Sequence, residues 1–318
     1  MDLFDKEILG KIEEELKKHV EKDDVLYEAS KHLLLAGGKR IRPYLAVLTY
    51  MLKKDNIEEV LRPAAAVELI HNYTLVHDDI MDNDDERRGK PTVHIVYGEP
   101  IAILSGDLLY AKAFEALSSI EDPKKAHEVL KVLSKACVEV CEGQAMDMEF
   151  ENRFPTMDEY FEMISKKTGA LIVAPVEIGA IMSECNEEER KSLYEYAKRI
   201  GMVFQVQDDV LDLIGDQKKI GKPVGSDIKE GKKTLMVIHA METLPEDKKE
   251  RLMNILGNSD ATDEEISEAI ELLGDSIEYA KELMKNAVKE AKDYLKIFDS
   301  EKRKRLEDIA DFIVDRIY

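Results

Sequence analysis

The sequence predicts an all-α fold, and three observations carry that prediction. Apolar residues recur at helical spacing through almost the whole chain. No sustained alternation marks a strand, and no Asn-Gly pair marks a hairpin. Met, Leu, Glu, Lys and Ala abound, Trp is absent and aromatics make up only 6% of residues, a composition that favours helices.

The breaks between helices follow in order. Gly37-Gly38-Lys39-Arg40 interrupts the pattern ahead of Pro43. A loop rich in acidic and basic residues runs from Asp84 to Pro91, Asp122-Pro123 starts one helix and Pro155 starts another. The longest glycine-rich interruption spans Gly215 to Gly231. Thr262 is placed as the N-cap of a late helix with Glu265 at its third position, the pattern of a capping box. None of these breaks reads as a long linker, and no short repeat is present.

The chain has 318 residues, 44% hydrophobic and 36% charged, ample for a sizeable core. Its 67 acidic and 46 basic residues give a formal net charge of −21, which argues against a nucleic-acid partner, because phosphate backbones need a basic face. The Met1 to Lys18 stretch is charged and amphipathic rather than a signal peptide, and no segment is apolar enough to span a membrane. Cys137, Cys141 and Cys185 are odd in number and scattered; they read as reduced packing residues of a cytoplasmic protein.

Two segments echo each other: Val76-His77-Asp78-Asp79-Ile80-Met81-Asp82 and Val206-Gln207-Asp208-Asp209-Val210-Leu211-Asp212. Residues four apart share a helix face, so Asp78 projects with Asp82 and Asp208 with Asp212. Such hard oxygen ligands suit Mg²⁺, which binds one or two carboxylates and completes its shell with water and phosphate oxygens. Acidic runs also arise on solvated helices, as in Asp263-Glu264-Glu265 with Glu268. The two motifs differ in context. Leu69, Ile70, Tyr73, Leu75 and Val76 precede one, and Met202, Val203, Phe204 and Val206 precede the other. Carboxylates at the ends of buried helices need a metal or cation to compensate them. Two such helices must face each other to act together, which favours one domain over residues 1–318 around a shared cavity.

Basic residues form a second constellation: Lys39 and Arg42 beside the glycine turn, Arg87 and Arg88 after the first motif, and Lys167-Thr168, Lys222 and Lys232 around the second. Together they match the needs of two diphosphates, one held through the metal and one directly by Arg and Lys. His71 and Gln205 lie on the helices that carry the aspartates. Glu68-Leu69-Ile70-His71 matches half of a di-iron carboxylate site, but no second copy exists.

In this order Gly-Gly-Lys-Arg-Ile-Arg-Pro, Glu-Leu-Ile-His, Asp-Asp-Ile-Met-Asp with Arg-Arg-Gly, Gly143-Gln144, Lys167-Thr168, Phe204-Gln205-Val206-Gln207-Asp208-Asp209 and the late lysines are similar to the motifs of the trans-isoprenyl diphosphate synthases, the group of farnesyl and geranylgeranyl diphosphate synthases. The resemblance spans about Ala36 to Thr234. It implies a bundle of ten or more helices around a deep apolar cavity, of isoprenoid synthase type, assembled as a homodimer. It implies that Lys39, Arg42, His71 and Arg88 hold isopentenyl diphosphate, and that Arg87, Lys167, Thr168, Gln205, Lys222 and Lys232 hold the allylic diphosphate. Asp78, Asp82 and Asp208 would carry Mg²⁺, with Mn²⁺ as a substitute, and Asp79, Asp209 and Asp212 would support them.

The implied reaction is metal-assisted ionisation of an allylic diphosphate (dimethylallyl, geranyl or farnesyl), followed by attack of the isopentenyl double bond. Lys167 and Lys222 would share catalysis with the Asp motifs, and the oxygens of Thr168 and Gln205 would face the allylic cation. Tyr73, five residues before Asp78, would act as a floor to the growing chain, while small Thr74 leaves the upper cavity open. In the family this looks like the geranylgeranyl pattern of archaeal-type enzymes, with farnesyl diphosphate as intermediate or co-product. A farnesyl diphosphate synthase is the alternative. A terpene cyclase would not need Lys39, Arg42 and Arg88, and a non-catalytic synthase subunit should have lost one Asp motif.

Overall fold

The computed structural model describes residues 3–215 and 224–315, and helices follow one another throughout. They fall into two compact units. One comprises Met1–Cys137, Leu171–Tyr194 and Lys296–Leu306, and the other Val138–Ala170, Glu195–Leu295 and Glu307–Tyr318.

In the first unit, α1 (Lys6–Lys18) and α2 (Val25–Leu34) start at Asp5 and Asp24, whose carboxylates accept hydrogen bonds from the first free backbone N–H groups. α3 (Ile41–Met51) follows the Gly37-Gly38 turn, and α4 (Glu58–Met81) packs against α1, α3 and α6 (Glu99–Leu117). Its Leu69 and Ile70 are fully buried, as are Tyr44 and Leu45 of α3 and Leu109 of α6. Each such side chain contributes roughly 1.5–3 kcal/mol through burial. α9 (Ala170–Met182) reaches α3 at Gly179, where a Cβ would stand 2.4 Å from the Ala46 carbonyl oxygen, so no larger residue fits. Beneath the end of α4, Val76 packs with Ala29, Leu33, Val93 and Ala102, and this cluster holds the helix turn that carries the first Asp motif.

The second unit takes the later part of α7 (Pro123–Asn152), then α8 (Met157–Ile164), opened by the capping box of Thr156 and Glu159. A π-helical turn, Ser165–Gly169, joins α8 to α9. Most of α10 (Glu187–Ile214) follows, and then the helices Leu235–Thr243, Glu246–Ile255, Asp263–Leu272 and Gly274–Tyr294. The Thr262 and Glu265 capping box stands where the sequence placed it. His239 stacks on Tyr279 at 4.2 Å and hydrogen-bonds to buried Ser276 at 2.9 Å, which fastens Leu235–Thr243 to Gly274–Tyr294.

Some details depart from the sequence reading. The Asp84–Pro91 loop contains a small antiparallel pair, Glu86–Arg87 with Lys90–Pro91. Arg88 and Gly89 turn it with φ of 55° and 71°, the left-handed pair required by a two-residue hairpin loop. Cys137 and Cys185 are buried packing residues, but Cys141 is exposed on α7, where its side chain packs into no core. No helix among the described residues is long and apolar enough to cross a membrane.

Candidate active site

The first Asp motif occupies the last turn of α4. Asp78 is half-buried, Asp82 is the exposed C-cap residue, and Asp79 between them is 1% exposed. Asp79 Oδ1 accepts from the Arg87 guanidinium, which also reaches Asp84 at 3.4 Å. Burial pushes the Asp79 carboxyl up, and Arg87 pulls it back. Its other oxygen, Oδ2, is buried without a partner among the described residues.

The basic residues of this unit gather around the Gly37-Gly38 turn. Arg88 donates to the Gly37 carbonyl at 2.6 Å, and its guanidinium lies against Gly38, where a Cβ would stand 3.4 Å away. Arg42 lies 3.1 Å from His71 Nε2. A guanidinium can only donate, so His71 Nε2 accepts and the ring proton sits on Nδ1. Burial, reinforced by the cations of Arg42, Arg88, Arg87 and Arg40, holds the His71 pKa well below its usual value. The ring is therefore neutral, accepting from Arg42 at Nε2 and keeping its one N–H at Nδ1. Lys39 is exposed on the same turn.

Tyr73 is half-buried on α4, edge-on to His77 at 4.7 Å and to Tyr110 of α6 at 5.2 Å, and Tyr110 continues to Phe114 at 4.9 Å. The sequence reading missed Tyr110 and Phe114, although their helical spacing on α6 is visible. Thr74 spends its hydroxyl on the His71 carbonyl at 2.8 Å, so its Cβ adds only a methyl group beyond that bond.

The second motif is fastened by a hydrogen-bonded chain. Thr168 Oγ1 donates to Gln205 Oε1 at 2.6 Å, Gln205 Nε2 donates to Asp209 Oδ1 at 2.8 Å, and the hydroxyl of fully buried Tyr160 donates to Asp209 Oδ2 at 2.6 Å. Both Asp209 oxygens are thus engaged. Burial, with Asp227 nearby, pushes this carboxyl up to about 7 even though Tyr160 and Gln205 stabilise its anion. Asp212 accepts from the Ser226 hydroxyl at 2.5 Å and the Asp227 N–H at 3.1 Å, and burial pushes it up to about 6. Asp208 is half-buried between these two anchored neighbours. The Gln205 oxygen accepts from the Thr168 hydroxyl, so the two residues predicted to face the allylic cation are joined to each other.

Lys167 pairs with Asp147 at 2.5 Å, and Lys232 with Asp227 at 2.9 Å and Glu230 at 2.7 Å. Lys167 and Thr168 lie in the π-helical turn, a rare local geometry found mostly at functional sites. Gly143 of α7 explains its close seat: a Cβ there would lie 2.3 Å from the Lys167 backbone nitrogen. Lys222 lies outside the described residues.

The first unit therefore carries Lys39, Arg42, His71, Arg87 and Arg88 as well as Asp78, Asp79 and Asp82, and Arg87 joins Asp79 directly. Lys167, Thr168, Gln205 and Lys232 accompany Asp208, Asp209 and Asp212 in the second. Among the described residues, no three His, Cys, Asp or Glu side chains converge as a closed metal cage. The donors still fit a cation such as Mg²⁺, which needs one or two carboxylates and takes its remaining ligands from water and phosphate. The orphaned Asp79 Oδ2 is one more acceptor at that end of α4.

Comparison with known proteins shows the family. The profile of the polyprenyl synthetase family matches residues 23–273. A short chain isoprenyl diphosphate synthase of Methanocaldococcus jannaschii is 77% identical over 316 residues, 99% of this chain and 97% of that protein. The crystal structure of a geranylgeranyl pyrophosphate synthetase from Pyrococcus horikoshii superimposes with a TM-score of 0.92 at 50% identity, covering 98% of this chain and 97% of that one. A polyprenyl synthase from Caulobacter crescentus, crystallised with calcium and isoprenyl diphosphate, gives 0.89 at 30% identity over 98% and 95% of the two chains. The chain belongs to the polyprenyl synthetase family and is a prenyltransferase.

Proposed function

We propose that this enzyme condenses isopentenyl diphosphate with allylic diphosphates and that its main product is geranylgeranyl diphosphate, with farnesyl diphosphate as intermediate or co-product. Residues 1–318 act as one catalytic domain. Asp78, Asp82 and Asp208 hold Mg²⁺, or Mn²⁺ in its place. Asp79, Asp209 and Asp212 keep those carboxylates in place from buried, hydrogen-bonded positions. The bound cation supplies charge stabilisation to the departing diphosphate. Lys167, Lys222 and Lys232, with Arg87, bind the allylic diphosphate and favour breakage of its carbon–oxygen bond, the electron pair leaving with the diphosphate. Lys39, Arg42, His71 and Arg88 hold isopentenyl diphosphate so that its double bond attacks the allylic carbon, and the released diphosphate takes the proton that is lost. No side-chain nucleophile takes part. Calcium and isoprenyl diphosphate in the Caulobacter relative support the use of a divalent cation.

The observation that carries the product length is the edge-on contact of Tyr73 with Tyr110, which Phe114 backs in turn. Tyr73 lies about 7.5 Å along the α4 axis from Asp78. The aromatic contacts brace its ring there, where it stops a chain growing from the Asp motif toward the N-terminal end of α4. Tyr73→Ala opens that stop. Incubated with labelled isopentenyl diphosphate, an allylic primer and Mg²⁺, the variant is expected to make products longer than geranylgeranyl diphosphate. An active variant with the parent's product distribution would remove Tyr73 from this role.

We also propose a homodimer. Ile95 and Val96 of α5 (Val93–Tyr97) are exposed, as are Ile103 and Leu104 of α6, an apolar group that a second copy can cover. Light scattering is expected to give twice the 36.2 kDa chain mass, and a monomer at all concentrations would refute the dimer.

A further inference from the structure

Arg40 stands between Lys39 and Arg42, yet it is turned the other way. Only 3% of it is exposed. Its guanidinium donates to Glu13 at 2.6 Å, to Glu68 at 2.8 Å and to the Leu34 carbonyl at 2.5 Å. Glu68 is itself buried and accepts from Asn72 at 3.2 Å. One side chain thus joins α1, the end of α2 and α4 from its own place at the start of α3.

The backbone of Arg40 is equally unusual, with φ 51° and ψ 34°. A left-handed conformation in a non-glycine residue costs about 1–2 kcal/mol and persists only where its surroundings enforce it. Here the buried ion pairs enforce it. The reversal leaves Lys39 exposed and places Arg42 beside His71, while the carbonyl of Gly37 in the same turn receives Arg88. Glu68 precedes His71 by one helical turn, so the strut that holds Arg40 also fixes the stretch of α4 that meets Arg42.

We propose that Arg40 is a positioning residue for the isopentenyl diphosphate site: the Glu13–Arg40–Glu68 triad sets the turn that presents Lys39, Arg42 and Arg88, and Arg40 does not touch the diphosphate. This rests on the assignment of Lys39, Arg42, His71 and Arg88 made above. A lysine keeps the charge but lacks the planar fork that reaches three acceptors at once. Arg40→Lys is therefore expected to raise KM for isopentenyl diphosphate at least about tenfold while KM for the allylic substrate stays within about twofold, because only one of the two sites loses its geometry. A residue that merely stabilised the fold would lower the melting temperature and the active fraction and leave both KM values alone.

Steady-state kinetics of both substrates, with thermal unfolding alongside, decide the matter. Lys39→Ala and Arg42→Ala serve as references. If these raise KM for isopentenyl diphosphate and Arg40→Lys does not, the positioning role is refuted and the site assignment stands. If neither reference raises it, the assignment falls and the inference with it. Should Arg40→Lys not accumulate as folded protein, Glu13→Gln weakens the triad from its half-exposed arm. A selective rise of about threefold in the same KM is then expected, and an unchanged value overturns the proposal.

Discussion

Asp78→Ala and Asp208→Ala are each expected to lower kcat by at least ~10²–10³-fold, equivalent to about 3–4 kcal/mol of barrier, with the helical circular dichroism unchanged. Each removes a carboxylate from the open part of its motif and leaves the buried anchors alone. Asp78→Ala does not touch the Asp79–Arg87 pair. Asp208→Ala leaves the chain from Thr168 through Gln205 and Asp209 to Tyr160 complete. The fold should therefore survive while the means of stabilising the leaving diphosphate is lost. Excess chelator should abolish turnover of the parent enzyme, and added Mg²⁺ should restore it. Near-normal turnover in either folded variant would sink the two-motif mechanism.

Gly143→Ala is expected to reduce kcat at least ~50-fold although it adds one methyl group far from the Asp motifs in sequence. That methyl would stand 2.3 Å from the Lys167 backbone nitrogen and 2.7 Å from its Cα. Backbone atoms cannot swing aside as a side-chain tip can, so the π-helical turn must shift. Overpacking of this kind costs about 1–3 kcal/mol of stability. The shift carries Lys167 away from Asp147 and Thr168 away from Gln205, and displacement by about 1 Å is enough for a ~10²-fold loss. Gly10→Ala is the control, because nothing lies within 4 Å of a Cβ there. It should leave kcat unchanged. Equal activity of the two variants would show that the turn at Lys167 is not held by its contact with Gly143.

What the sequence made legible was mostly local. The capping box at Thr262 and Glu265 depends on residues three apart, so spacing alone reveals it. The π-helical turn was hidden because it is fixed by Gly143, a residue more than twenty positions earlier in the chain. Arg40 was hidden for a different reason. In a row of cations it looks like one more ligand, and only its pairing with Glu13 and Glu68 shows that its charge is already spent within the protein. The bond from the Thr168 hydroxyl to Gln205 was hidden as well, since its two partners lie 37 positions apart in the chain. The hairpin at Arg88-Gly89 escaped because arginine is an uncommon occupant of the left-handed region.

The interleaved course of the chain bears on its synthesis. The unit that starts with Met1 is completed only by Lys296–Leu306, and the other unit by Glu307–Tyr318. Lys302 pairs with Asp55, and Arg305 with Asp5, across most of the length of the polypeptide. A nascent chain can therefore form its early helices on the ribosome but cannot finish the first unit until residues 296–306 have been made. Truncation ahead of Lys296 would not trim a C-terminal appendage; it would remove a piece of the unit that the N-terminus began.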